Sequence, residues 1–516
     1  MKLTQTLILT LITNLLFSQA GNLDLTFGDE GKMITSFEQL SAEANAIGYQ
    51  SDGKIILTGI GISASNEDII AVRYLPNGQL DTNFGVDGRF ILSISNFRDR
   101  CYDIVVDTNE NIFMTGYTAN ANFEFKGFII KLNMDGDIDS TFAQNGIWIS
   151  ETPNTREDFR EILLQSDGKI LIAGKTEIIG QPTSSLVIRL NSDGTIDNDF
   201  GENGIANSIV PDGYNPKFAK LNSKEEIITG GFLLDNSTNI ILIKFNQQGE
   251  IDLSFGVNGV MVDNTILDEF ANSIAIQNDD KIIVGTGITN ISGRDFGMVR
   301  FNQNGSLDTN FGSNGRISTD FSLTSNTAHS VILQEDGKII LGGFLGTTPN
   351  HDYAIARYDT LGNLDVTFGN DGKVITDFEL DDLMFASTIQ SDGKLLCAGT
   401  AKTSDDFSSF SIARYLTQIE TSTFDIIGNL NQLKVFPNPS DGNFSLSFEL
   451  EISTSASISL FNSSGNLIQK IINNKKLIKG LNTIDINLKK KFGNGLFIMK
   501  IKTDEGSFYK KLIIER

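Results

Sequence analysis

The chain carries two histidines, His329 and His351, in different loop and strand contexts. A zinc site of the His-Glu-x-x-His kind needs two imidazoles one helical turn apart, so none can be assembled here. Neither a Gly-x-Ser-x-Gly nucleophile elbow nor a phosphate-cradling Gly-x-x-x-x-Gly-Lys-Ser/Thr occurs. Carboxylates are what remains for chemistry. Asp268 with Glu269 and Asp381 with Asp382 form adjacent pairs, and a glycosidase uses two carboxyls about 5 to 9.5 Å apart. Adjacent acids on an acidic chain are more simply a solvated surface, so no catalytic residue is assigned and the chain reads as a non-enzyme. Asp135, Asp137 and Asp139 alternate like the first ligands of a calcium loop. Ser140, however, stands where the turn glycine belongs and Gly146 where the bidentate glutamate belongs. A plain Asp-rich turn is preferred there; calcium is the one cofactor worth considering and no other is expected.

The elements that would position any such group are set by a repeat. Leu23-Asp24-Leu25-Thr26-Phe27-Gly28 returns six more times with small changes, with phenylalanines at Phe27, Phe84, Phe142, Phe200, Phe255, Phe311 and Phe368, spaced by 55 to 58 residues. A fixed period of this length means one supersecondary unit used repeatedly. In the first unit, short alternating runs at Gly31–Phe37 and Ala44–Gln50 are followed by the hairpin turn Ser51-Asp52-Gly53-Lys54. A third run at Ile55–Gly59 and a fourth at Asp68–Leu75 complete it. The fourth run ends on a basic residue in every unit: Arg73, Lys131, Arg189, Lys244, Arg300, Arg357 and Arg414. Four short strands per unit, in seven units, predict an all-β chain whose sheets pack radially as a seven-bladed β-propeller over residues 21–416. A β-solenoid is the competing architecture, with shorter coils and no hairpin turn at a fixed place.

The Leu-Asp-x-x-Phe-Gly, x-Asp-Gly-Lys-Ile and Ala-x-Arg-Tyr elements together resemble the delta-60 repeat family. That resemblance implies a propeller-like β fold on secreted bacterial proteins. Asn109-Glu110-Asn111 and Ser223-Lys224-Glu225 depart from the Asp-Gly turn of the other units.

Residues present in every copy, the Asp of each Leu-Asp pair, the Phe and the strand-ending cation, are scaffold: Phe plugs the space between sheets and Asp caps its own turn. Function should sit where the copies differ. Stereotyped turns alternate with variable loops along the meander, so the variable loops share one face of the disc. They supply the ligand-face candidates Arg98, Arg100, Arg156, Asp158, Tyr214, Asp268 and Asp381. Aligning the units puts Cys101 in the place of Ala44 and Cys397 in that of Thr58, two blades that are not neighbours, so buried free thiols are expected rather than a disulfide.

The two ends carry addresses. Lys2 followed by the apolar Leu3–Phe17 and the small residues of Ser18-Gln19-Ala20 reads as a signal peptide, residues 1–20, cleaved after Ala20. No later stretch is long and apolar enough for a transmembrane helix. Residues 417–432 read as a linker, and from Leu433 lysine outnumbers acid. Six short alternating runs over residues 433–516 predict a small C-terminal β-sandwich. Its motifs are Pro437-Asn438-Pro439 with Gly442, Ser459-Leu460-Phe461, Gly495-Leu496-Phe497, and the closing Lys510-Lys511-Leu512. These resemble the type A sorting domain of type IX secretion; Tyr is commoner where Phe497 stands. The resemblance implies passage through the periplasm to the outer cell surface or medium, with the type IX machinery as partner.

The formal charge of −23 argues against a nucleic-acid partner, which would need clustered cations. The sequence thus predicts a secreted, non-catalytic propeller for binding or adhesion, its ligand a glycan or protein. A surface enzyme acting on polysaccharide and a structural surface component are the alternatives.

Overall fold

The structure is a computed structural model. It describes residues 19–514 except 123, 153–154, 179–180, 235–236, 266–267, 291–292, 322–324, 403–406, 419–432, 451–452, 463–466, 489–494 and 504–505. The signal segment before Gln19, most of the linker and the Ser463-Ser464-Gly465 turn therefore lie outside the described residues. Every regular element among the described residues is a β-strand. Ala20–Gln418 forms one compact unit, and the C-terminal residues belong to another.

In the first repeat the strands are Lys32–Thr35, Ser41–Tyr49, Ile55–Ile62 and Glu67–Tyr74. The last three pair in order as an antiparallel meander, with Tyr49 opposite Ile55 and Ile55 opposite Tyr74. The fourth strand then pairs with the first strand of the next repeat, Arg89–Leu92. A sheet is therefore offset by one strand from the sequence repeat, and the simple reading of four strands of one unit joined in sequence is corrected. The cause is the Leu-Asp-x-x-Phe-Gly segment. The Asp81 N–H donates to the Arg73 carbonyl at 2.8 Å and the Arg73 N–H to the Gly88 carbonyl at 3.2 Å, which folds the chain back beside the strand it has just left. By the same rule the first strand, Lys32–Thr35, pairs with the last strand of the unit, Ser408–Tyr415, placing Lys32 opposite Ala413.

The unit contains five such four-stranded sheets and one of eight strands, the latter being two meanders joined by a parallel bridge between Glu67 and Arg98. Middle strands such as Ile55–Ile62 are covered on both faces, which is why they read as continuous apolar runs. Between sheets the apolar faces merge: Phe255 packs with Ile228, Ile240 and Leu242 of one sheet and Ile274, Ile282 and Val284 of the next. Residues of the first and last repeats share a core in the same way, Ile55 and Leu57 with Leu396, Phe410 and Ile412.

The repeated residues form one interaction, used again in each repeat. Arg73 Nε meets Asp81 at 2.9 Å, Arg189 meets Asp197 at 2.7 Å, Arg300 meets Asp308 at 2.9 Å, Arg357 meets Asp365 at 3.0 Å, and Arg414 meets Asp24 at 2.9 Å. Lys131 with Asp139 and Lys244 with Asp252 substitute in the other two. Each guanidinium lies 4.2 to 4.8 Å over the Phe of the same segment. Its far nitrogen reaches a carbonyl of the adjoining repeat, Arg300 to Thr360 at 2.9 Å and Arg414 to Pro76 at 2.6 Å. Burial raises the Asp24 pKa, but the Thr26 hydroxyl and the charges of Arg414 and Lys394 outweigh it and hold the carboxyl below its ordinary value. The Thr141 hydroxyl and Lys131 likewise hold Asp139 at about 2.

Cys101 and Cys397 are buried and free. In the C-terminal unit, Lys434–Phe436, Asn443–Leu450 and Gly480–Asn487 form one sheet; Thr454–Asn462, Leu467–Leu477, Gly495–Thr503 and Gly506–Ile514 form a second. Phe444, Leu446 and Phe448 of the first share a buried cluster with Ile458, Met499, Ile501 and Leu512 of the second.

Tyr214 does not stand on a free face. It is 2% exposed, within a core that includes Leu233 and Ile241, because it occupies the inward position on its strand where other repeats place Asp99 or Glu269. Phe255→Ala and Tyr214→Ala should therefore each cost about 3–5 kcal/mol, as for buried aromatics whose neighbours cannot collapse, while exposed Arg156→Ala should cost under about 0.5 kcal/mol. Denaturant midpoints at unchanged m-value check this.

Candidate functional site

The second strand of each repeat carries the same irregularity. Register shifts occur between Ala44 and Ala46, Cys101 and Asp103, Phe159 and Glu161, Pro216 and Phe218, Ala271 and Ser273, Ala328 and Ser330, and Met384 and Ala386. Each is a β-bulge that leaves one residue unpaired and re-aims it. The bulged residues are Asn45, Tyr102, Arg160, Lys217, Asn272, His329 and Phe385, all half-buried and all lining one cavity of about 1290 Å3. The third strand permits the bulge. A Cβ on Gly59 would sit 1.8 Å from the Glu43 carbonyl oxygen, one on Gly116 1.8 Å from that of Arg100, and one on Gly343 2.0 Å from that of Thr327. In six of the seven repeats a glycine on the third strand thus gives the second strand room to buckle at that point.

Seven equivalent positions thus hold six residue types, asparagine standing twice, at Asn45 and Asn272. Arg160 is gripped by Asp158 at 2.7 Å and lies 3.8 Å over the Tyr102 ring. Burial and the charge of Arg160 lower Lys217 to about 8, although Asp158 opposes them. Burial, then the charges of Lys217 and Arg294, depress His329 to about 3, so its imidazole is neutral at any ordinary pH. Phe344 stacks on it with centroids 5.1 Å apart and Phe385 meets it edge-on at 5.3 Å. Further along the same strands Lys220 pairs with Glu161, and burial together with the Glu161 charge pushes Asp103 upward. The cavity therefore offers fixed cations for an anion, a neutral imidazole able to accept a proton, and a phenol.

The loop candidates fare otherwise. Arg100 forms a 2.5 Å ion pair with Glu67, and Arg98 approaches the same carboxylate at 3.5 Å. Arg156 lies 5.6 Å from the Phe125 ring. Asp268 accepts the Thr238 N–H at 2.8 Å, and Asp381 meets His351 Nδ1 at 2.6 Å. Asp158 alone among them belongs to the cavity arrangement, through Arg160. Asp135 and Asp137 donate their backbone N–H groups to Asn133 at 2.9 and 3.0 Å, an ordinary turn, and Asp139 faces Thr141 and Lys131. Ala20 is buried, and its carbonyl accepts the Gly369 N–H at 2.7 Å, the same contact that Asn77 makes with Gly28.

In the C-terminal unit the motif residues converge. Asn438 Oδ1 accepts the Ile513 N–H at 2.7 Å, and the Ser440 N–H donates to the Ile513 carbonyl at 2.9 Å. The Pro437-Asn438-Pro439 segment is thereby tied to the strand bearing Lys510 and Lys511. Gly442 takes φ 103° and its carbonyl accepts the Leu488 N–H at 2.8 Å, while Gly495 opens the strand Gly495–Thr503.

Comparison with known proteins places these features. Residues 50–84, 165–200, 277–311, 334–368 and 390–418 match a β-propeller domain of unknown function (DUF5122), and residues 91–124 match a β-propeller repeat. The chain is a β-propeller repeat protein. Residues 434–515 match the secretion system C-terminal sorting domain, so this propeller protein carries a type IX secretion tail and is exported to the cell surface or beyond it. No curated protein matches the chain. Among solved structures, an ulvan lyase of polysaccharide lyase family PL25 bound to -[GlcA(1-4)Rha3S]- is similar at 11% identity, over 75% of this chain and 95% of that one, with a TM-score of 0.47. The polysaccharide lyase Uly1 is similar at 8% identity, over 73% and 90%, with a TM-score of 0.44. A protein of unknown function from Dyadobacter fermentans DSM 18053 is similar at 9% identity, over 75% and 98%, with a TM-score of 0.41. The expectation of a non-enzyme is corrected by these neighbours, two of which are lyases, and it is set aside. No helix among the described residues is long and apolar enough to cross a membrane.

Removing Leu433 to Arg516 should leave a folded propeller trapped inside the cell envelope, because it removes the sorting tail but none of the propeller's core residues. Fractionation of cells carrying the truncated chain checks this; export at the full-length level contradicts it.

Proposed function

We propose that the protein is a seven-bladed propeller, with a C-terminal β-sandwich as its export tail, that acts on an anionic polysaccharide outside the cell. The observation that carries the reading is the ring of bulged residues. Seven copies of one scaffold position differ in chemistry while the scaffold around them repeats, and the differing side chains include two cations, a neutral histidine and a tyrosine in one cavity. Arg160 and Lys217 would hold a uronate carboxylate and draw charge from the adjacent carbon. The neutral His329 imidazole would remove the proton on that carbon. The electron pair would form the new double bond as the glycosidic oxygen leaves, taking its proton from the Tyr102 hydroxyl. The roles of His329 and Lys217 ask of them only the protonation states at neutral pH that their surroundings impose.

Purified full-length protein mixed with polyuronates, ulvan included, should generate the ultraviolet absorbance of an unsaturated sugar end. His329→Ala should lower the rate by about 10²–10⁴, the usual contribution of a general base. Activity should decline as pH rises through about 8, where Lys217 loses its charge, and should show no acid limb between neutrality and the low His329 value near 3. Absence of product from every polymer, or an undiminished rate in the His329 variant, would overturn the proposal.

A further inference from the structure

Where one sheet gives way to the next, the second strand carries a buried side chain that caps the incoming connection, and the repeats satisfy it differently. Asp99 accepts the backbone N–H groups of Ile94 at 2.6 Å and Ser95 at 2.8 Å. Glu157 accepts from the Gly127 N–H and the Ser150 hydroxyl. Glu269 meets Arg316 at 3.1 Å. At the junction of the sixth and seventh repeats the buried group is Asp382, 0% exposed, and its surroundings are acidic. An oxygen from each of Asp352, Asp377 and Asp382 lies within 4.8 Å of the others.

Among the described residues no Lys or Arg nitrogen pairs with any of these three carboxylates. Lys32, the nearby cation, donates instead to the Asp377 backbone carbonyl at 2.9 Å. Asp382 Oδ2 accepts the Phe378 N–H at 2.5 Å, but Oδ1 is buried with no hydrogen-bond partner. A carboxylate oxygen buried without a partner beside two further acids is expensive to leave uncompensated.

We infer that Asp352, Asp377 and Asp382 form a calcium site that locks the connection between the sixth and seventh repeats. The donors are all hard oxygens, the set that favours calcium over softer metals; three carboxylates leave the remaining coordination positions to water. This is not the Asp135-Asp137-Asp139 turn suggested by spacing. It is also independent of the chemistry proposed for the cavity, since it stands on a different set of side chains.

Calorimetric titration and thermal melts of the full-length protein, stripped with EGTA and then given calcium chloride, test the inference. Calcium should bind saturably and raise the melting temperature. Asp377→Asn and Asp382→Asn should each weaken binding by about tenfold or more, because affinity follows the number of charged ligands, whereas Asp137→Asn should leave it unchanged. In EGTA, Asp382→Asn should melt above the parent, since it removes a buried charge lacking a counter-charge; this reading separates loss of a ligand from loss of fold. No calcium effect on the parent, or undiminished binding in either the Asp377 or the Asp382 variant, would overturn the site.

Discussion

One contact joins all levels of the propeller: a buried guanidinium held at once by an aspartate, a phenylalanine face and a carbonyl of the adjoining repeat. In Arg300 these are Asp308 at 2.9 Å, Phe311 at 4.2 Å and Thr360 at 2.9 Å. Arginine suits the position because its planar fork donates in several directions while its faces stack on an aromatic ring. A buried ion pair is weak evidence for net stability, since desolvation consumes much of the attraction. Its value here is geometric, because the same group fixes the turn, the plug between sheets and the spacing to the next repeat. Arg414 does this with Asp24 and Pro76, so residues distant in sequence join the first repeat to the last.

That rigidity frees other positions. Seven bulges at one place in seven strands present side chains to the cavity without disturbing the sheets behind them, and in six of them a glycine of the third strand gives the buckle room. In the fifth repeat Thr286 stands where the others have glycine, and Ala271 still pairs with it beside the bulge. Scaffold and chemistry therefore occupy different positions on neighbouring strands. The cavity lining can vary from Asn45 to Phe385 along the seven repeats while every Asp and Phe of the repeat stays the same.

The period, the strands, the hairpin turns and the C-terminal address were legible because each depends on local chemistry: glycine in a turn, alternation in a half-covered strand, a proline-rich motif. The one-strand offset of the sheets was not, since which strands pair is decided by backbone bonds such as Asp81 to Arg73 rather than by side-chain pattern. The site was missed for a related reason. A bulge shifts the alternation by one, so Tyr102 and Lys217 look like ordinary strand residues, and attention goes to the loops, where Arg98 and Arg100 prove to be engaged with Glu67. The strand-three glycines Gly59, Gly116, Gly174, Gly231, Gly343 and Gly399 were the available signal; a glycine fixed inside a strand marks close backbone approach. Tyr214 was misread because a loop-flanking aromatic on a strand's first residue gives no local sign of facing inward.

The central claim, that repeated residues build the ring and unrepeated bulge residues act from it, is tested most directly within a single repeat that contains both kinds of arginine. Arg189 binds Asp197 at 2.7 Å and is 7% exposed, whereas Arg160 lies half-buried at the cavity. Denaturant midpoints and turnover of an anionic polysaccharide should be measured for Arg189→Ala and Arg160→Ala. The account predicts a loss of about 3–5 kcal/mol for the first, from removing a buried guanidinium that holds Asp197, the Gln247 carbonyl and the Phe200 face together. The second should lose about 1 kcal/mol or less, with turnover abolished. Equal stability losses, or full turnover in Arg160→Ala, would contradict the division.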